Sequence, residues 1–117
     1  MKTEKNLQLT KLIAELKKAS AKNNSAIWKA IALELEKPTR RRRSVNVYKI
    51  DKYSKENETV IVPGKVLGVG DLSKKVNVAA FTFSQEAMQK INQKGQALSI
   101  EQLMTKHPDG KNIRILG

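Results

Sequence analysis

The chain has 117 residues, no cysteine, one histidine, and 23 lysines and arginines against 11 acids, for a formal charge of +12. That length suits a single domain, and the composition excludes a disulfide framework, a thiolate metal site and an ordinary zinc centre. No stretch has the apolar length of a membrane span, and the opening MKTEKNLQLTKLIAELKK lacks the continuous apolar segment of a signal peptide, so a cytosolic protein is expected.

Leu9, Leu12, Ile13 and Leu16 follow i, i+3, i+4, i+7 spacing, with Lys11, Lys18 and Lys22 on another face around Glu15. This predicts an amphipathic helix over about residues 5–21. Lys22-Asn23-Asn24 breaks it, and Asn24 or Ser25 is placed to cap a second helix. Ile27, Trp28, Ile31 and Leu35 give that helix its apolar side, and Pro38 ends it. A break this short makes the two helices a packed pair. Trp28 lies beside the apolar stripe and is read as a core anchor rather than a base-stacking residue.

Next comes KPTRRRRSVNVYKI, residues 37–50, a window without an acid. Arg40, Arg41, Arg42 and Arg43 repel one another and gain nothing from a shared fold. They need an external anion, and the guanidinium fork matches phosphate oxygens. A nucleic acid backbone is the fitting polyanion. Residues 1–58 hold 15 bases and 7 acids, a net +8, so the field is strongest around this run. An anionic membrane fits less well, because the run leads into β-branched sequence and not into a cationic amphipathic helix.

Val45 and Val47 alternate with polar residues, as in a strand, and Asp51 to Glu58 reads as a polar connection. Thr59-Val60-Ile61-Val62 is a buried strand closed by Pro63-Gly64, after which Lys65-Val66-Leu67 leads to Gly68-Val69-Gly70. Gly68 or Gly70 is expected to hold positive φ in a tight turn. Val76, Val78 and Ala80 alternate again. Ser84 is placed to cap a helix bearing Ala87, Met88 and Ile91 on one side, and Gly95 is placed as its left-handed terminus. Ser99 and Gln102 form a capping-box pattern. Pro108-Asp109-Gly110 is a turn, and Ile113 and Ile115 mark a closing strand. The expectation is one mixed α/β domain, 1–117: a helical pair over 1–37, a basic connection and strand over 38–50, and a compact β and α body over 51–117.

Chemistry for catalysis is missing from this pattern. Gly64, Gly68 and Gly70 lack the third glycine of a dinucleotide fingerprint, since Ser73 stands there, and no P-loop spacing exists. A serine triad would rest on His107 alone, beside a turn proline. Glu34 and Glu36 read as solvent-facing helix residues next to Lys37. No enzyme, no cofactor, no metal and no small-molecule substrate are expected.

Three longer segments carry a resemblance. IWKAIALELEKPTRRRRSVNVYKI (27–50) resembles the N-terminal signature of the archaeal and eukaryotic large-subunit ribosomal protein family eighteen-e. PGKVLGVGDLSKKVNVAAFTFSQEAMQKI (63–91) is similar to its central signature, and SIEQLMTKHPDGKNIRIL (99–116) matches in length and pattern. The compact length is like that of archaeal members. The resemblance implies a structural, non-catalytic constituent of the large ribosomal subunit that binds large-subunit ribosomal RNA, beside neighbouring ribosomal proteins, in the cytoplasm. It also implies a fold shared with bacterial ribosomal protein fifteen: helices followed by an irregular stack of β-β-α units. By position in the matched segments, Lys37, Arg40, Arg41, Arg42, Arg43, Lys49, Lys65, Lys74 and Lys75 are the RNA-facing candidates. The alternative is a free-standing basic DNA- or RNA-binding module. A helix-turn-helix reader would want polar residues on the second helix, where residues 25–36 offer Lys29 as the sole base.

Overall fold

The computed structural model describes residues 7–37 and 43–116, and its first element follows from the leucine spacing. Helix α1 (Leu7–Asn23) buries Leu9, Leu12 and Leu16. It runs two residues beyond the expected end because Asn24 takes the left-handed conformation, φ 51°. There the Ser25 N–H donates to the Ser20 carbonyl at 3.0 Å, a Schellman closure in which Asn stands in for Gly. Helix α2 (Ala26–Leu35) buries Trp28, Ile31, Ala32 and Leu35. Ser25 occupies its N-cap position, but contrary to expectation its side chain makes no capping bond. The Ser25 hydroxyl instead faces Gly110, where an added Cβ would come within 2.8 Å of it.

Strand β1 (Arg43–Asn46) is followed at once by helix α3 (Val47–Tyr53). The expected strand through Val47 and the polar connection from Asp51 are therefore corrected. Val47 and Ile50, three apart, are both buried, and that spacing belongs to a helix face. Strand β2 (Thr59–Leu67) also corrects an expectation, since it continues through Pro63-Gly64. Its pairing with β3 (Asn77–Phe83) shifts between Val62 and Lys65. On its other edge β2 pairs with β5 (Ile113–Ile115) over Thr59–Ile61 and with β1 over Gly64–Leu67. Pro63 thus falls in the gap between two partner strands, where its missing N–H costs no ladder bond.

Helix α4 (Gln85–Lys94) is capped as expected, the Ser84 hydroxyl accepting from the Ala87 N–H at 3.1 Å. Ala87 and Ile91 are buried, whereas Met88 is exposed. Gly95 is not left-handed; its φ is −139°. Glycine is required because a Cβ there would run into the Val76 carbonyl. Strand β4 (Gln96–Ser99), which the sequence pattern had not shown, pairs with β3. It leads into helix α5 (Ile100–Lys106), whose Ser99–Gln102 capping box is complete.

All strand pairings are parallel, in the order β1-β2-β3-β4 with β5 beside β2. Parallel sheets are covered on both faces, so their strands read as near-continuous apolar runs. Here Val60, Val62, Val66, Val78 and Ala80 face α3, α4 and the 68–76 connection. Ile61, Ala79 and Leu98 face α1, α2 and α5. The mixed α/β expectation with an N-terminal helical pair holds. The pair is one of the two layers covering the sheet.

No helix joins β2 to β3. Residues 68–76 must return along the full sheet, and nine residues span at most about 30 Å, against about 23 Å for seven residues of β3. An extended path suffices, and side chains pin it. The Lys90 ammonium donates to the Gly68 and Gly70 carbonyls at 2.7 and 2.5 Å. The Tyr48 N–H donates to Val69 O at 3.1 Å. Gly70 has φ 96° and is packed against the Tyr48 Cβ. Asp51 accepts from the Ser73 N–H at 2.9 Å and its hydroxyl at 2.8 Å. Lys74 donates to the Asp51 and Ser54 carbonyls at 2.6 and 2.8 Å, neutralising the C-terminus of α3.

Three outcomes follow. Trp28 is fully buried and its indole N–H donates to Pro108 O at 2.8 Å. Trp28→Ala should cost roughly 3–5 kcal/mol in denaturant melts, with Trp28→Phe between it and wild type. Gly70→Ala should cost about 1 kcal/mol or more, combining left-handed strain with the Tyr48 collision. Burial pushes the Asp51 carboxyl up, but the Ser73 amide and hydroxyl and the Lys74 charge outweigh it and hold it below the ordinary carboxylate value. A pKa lowered by folding stabilises above the unfolded value and loses that effect as pH falls through the folded one. Asp51→Asn should therefore destabilise at neutral pH and lose less stability than wild type on acidification. Equal losses in both proteins would refute the assignment.

Candidate nucleic-acid interface

Arg40, Arg41 and Arg42 lie outside the described residues, and Arg43 opens β1. The register places Arg43 beside Gly64, and Ser44 beside Lys65. Across β2, Lys65 is in turn beside Thr82 of β3. Directly paired residues share a face, so Ser44, Lys65 and Thr82 form a polar row across three strands, and all three are exposed. Alternation from Val66, buried on the α3–α4 side, puts this row on the side of α1 and α2.

The other candidates are sorted by the fold. Lys49, on the first turns of α3, is half-buried, and Lys75 is exposed. Among the described residues, Lys49, Lys65 and Lys75 take part in no salt bridge. Lys37, exposed just after α2, reaches Glu34 at 3.1 Å. Lys74 differs from the rest: its ammonium is turned onto two backbone carbonyls of the fold. Lys75 precedes β3 while Lys65 sits near the end of β2. From Asn77 to Thr82, the partner of Lys65, is five residues, about 17 Å of strand. Lys65 and Lys75 therefore stand at opposite ends of the sheet and do not form one site.

Beyond the candidate set, α1 presents Lys11, Lys18 and Lys22, all exposed. Their 3- to 4-residue multiples, already visible in the sequence, put them on one stripe. At the amino end of β2, Lys55, His107, Lys111 and Arg114 line an open groove of about 700 Å³ together with Glu56 and Glu58. Burial raises the Glu58 carboxyl, but the Lys55 N–H and the Arg114 guanidinium, 2.9 Å away, outweigh it and lower its pKa. The groove is thus of mixed sign. Among the described residues no three His, Cys, Asp or Glu side chains gather as a metal site, and no helix is long and apolar enough to cross a membrane.

The chain is similar to known proteins over nearly its full length. Residues 2–117 match the family described as "Ribosomal protein 60S L18 and 50S L18e". It is 47% identical to large ribosomal subunit protein eL18 of Haloarcula marismortui, covering 95% of this chain and 96% of that protein. It is 47% identical to the eL18 protein of Methanothermobacter thermautotrophicus, covering 97% and 95%. It is 48% identical to that of Methanoregula boonei, covering 95% and 93%. The basic entry to β1, the Gly68–Gly70 turn and the Ser99 capping box all fall within the matched span, and with it the chain belongs to the ribosomal protein 60S L18 and 50S L18e family.

Proposed function

We propose that this chain is a structural constituent of the large ribosomal subunit in the cytoplasm, where it binds and stabilises folded large-subunit ribosomal RNA and supports translation. It turns over no substrate. The observation that carries the reading is the register of β1 on β2, which sets Arg43, the last of the four arginines, beside Gly64 and next to the exposed polar row of Ser44, Lys65 and Thr82. Folded RNA is held largely through phosphates, sugars and shape. A rigid sheet edge carrying cations neutralises phosphates that tertiary folding brings together, and lowers the repulsion opposing compaction.

In this reading Lys37, Arg40, Arg41, Arg42, Arg43, Lys49 and Lys65 contact phosphates around one end of the sheet. Lys75 contacts a separate stretch. Lys74 acts indirectly, by fixing the connection that carries Lys75. Neighbouring ribosomal proteins are the remaining partners. The free-standing helix-turn-helix alternative finds little to work with: α2 buries Trp28 and Ile31, and its exposed residues are Ala26, Lys29, Ala30 and Leu33.

Tagged protein should sediment with large subunits; recovery only in free or chromatin fractions would sink the proposal. Titration with large-subunit RNA should give a log–log salt slope on the order of −4 for about five phosphates. Replacing Arg40 to Arg43 with Gln should flatten that slope by a few units without lowering the melting temperature. An unaltered slope would move the RNA site away from the run. Arg→Lys at the same positions should keep most of the slope and lose some affinity.

A further inference from the structure

The chain has two tyrosines, and both stand on the outward side of α3. Tyr48 is 55% exposed and Tyr53 is 50% exposed. The other aromatics are withdrawn: Trp28 is fully buried, and Phe81 and Phe83 pack against the two cores. A single exposed tyrosine needs no explanation. Here both tyrosines share one seven-residue helix and flank its two lysines, Tyr48 four before Lys52 and Lys49 four before Tyr53. Residues at i and i+4 lie one above the other, so each ring has an ammonium on its own stripe. The Lys52 Nζ lies 5.4 Å from the Tyr53 ring centroid, within cation–π range.

Among the described residues neither tyrosine hydroxyl has a hydrogen-bond partner. Asp51, the only acid of α3, is taken up by Ser73. The helix itself is fixed, through the Tyr48 N–H to Val69 O and through Lys74 at its C-terminal carbonyls. Val69, whose carbonyl receives that N–H, is itself 61% exposed and extends the apolar area beside Tyr48. Two amphipathic rings on a held backbone give contact area at low entropic cost.

We infer that the outward face of α3 is a stacking surface for unpaired RNA bases, with Tyr48 and Tyr53 each receiving one base and Lys49 and Lys52 holding the flanking phosphates. Unstacked bases of loops and bulges dock on aromatic faces, and interleaved cations select a polyanion over an uncharged apolar partner. The inference rests on the RNA-binding reading above and goes beyond it, since it assigns recognition of single-stranded elements to residues outside the arginine run.

The test uses the full chain with two probes: a decameric oligoadenylate and a ten-base-pair RNA duplex. Tyr48→Ala and Tyr53→Ala should each weaken decamer binding by about tenfold with an unchanged salt slope, and should spare duplex binding. Tyr→Phe at both positions should bind as wild type. Lys49→Gln and Lys52→Gln should each flatten the slope by about one unit. Should an alanine variant fail to fold, the wild type still decides: the decamer should protect both tyrosines from nitration by tetranitromethane, and the duplex should not. If large-subunit RNA binds wild type with a steep salt slope, but the alanine variants hold the decamer equally well or the tyrosines stay reactive, this inference is overturned alone. If wild type binds no RNA, the parent reading falls with it.

Discussion

Strand β2 is the constraint on which the rest depends. It pairs with β3 along one edge and with both β5 and β1 along the other, and it is covered on both faces. A strand so placed has no water to satisfy its backbone, so every partner must arrive in register. That demand is met by elements from both ends of the chain. β5 closes the lower half, and β1, just after the arginine run, closes the upper half. Arg43, where the described chain resumes, is therefore paired onto the largely buried strand β2. β1 cannot leave this ladder without exposing Val45 and Val66.

The return from β2 to β3 without a helix is the second consequence. An extended connection has no internal ladder, so its carbonyls and amides need other partners. Lys90 supplies them at its start, donating to the Gly68 and Gly70 carbonyls, and Lys74 ties down its far end by donating from its own side chain to the Asp51 and Ser54 carbonyls. In a chain of net charge +12, these cations are spent within the fold, capping carbonyls rather than meeting an external anion. Counting bases therefore overstates the surface available to RNA. The geometry separates lysines that hold the connection from those, such as Lys65 and Lys75, that face solvent without an ion partner.

The same connection positions α3. Its N-terminus is set by Val69 and Gly70 and its C-terminus by Lys74, so the helix is oriented by residues twenty or more positions away in sequence. Its apolar side, Val47 and Ile50, completes one core, and its other side carries aromatic rings and ammonium groups into solvent. Exposed surface and packing surface are two faces of one short helix. A change in the glycine turn would be felt at both.

Much was legible in the residues themselves because it depends on neighbours within a turn or two. The leucine stripe of α1, the burial of Trp28, the caps at Ser84 and Ser99, the left-handed glycine among Gly68 and Gly70, and the closing strand at Ile113 and Ile115 are all local. So is the net charge, which no fold alters. What stayed hidden depends on partners distant in sequence. Val47 alternates with Val45 as a strand would, and only the packing of Ile50 makes it helical. Pro63-Gly64 reads as a stop, and only the gap between β5 and β1 lets β2 pass through. Gly95 is demanded by the Val76 carbonyl and not by its own φ. The same holds for the candidate site. Its residue types could be read directly, but the inward turn of Lys74 and the separation of Lys75 from Lys65 come from register and hydrogen bonding, which only the assembled sheet decides.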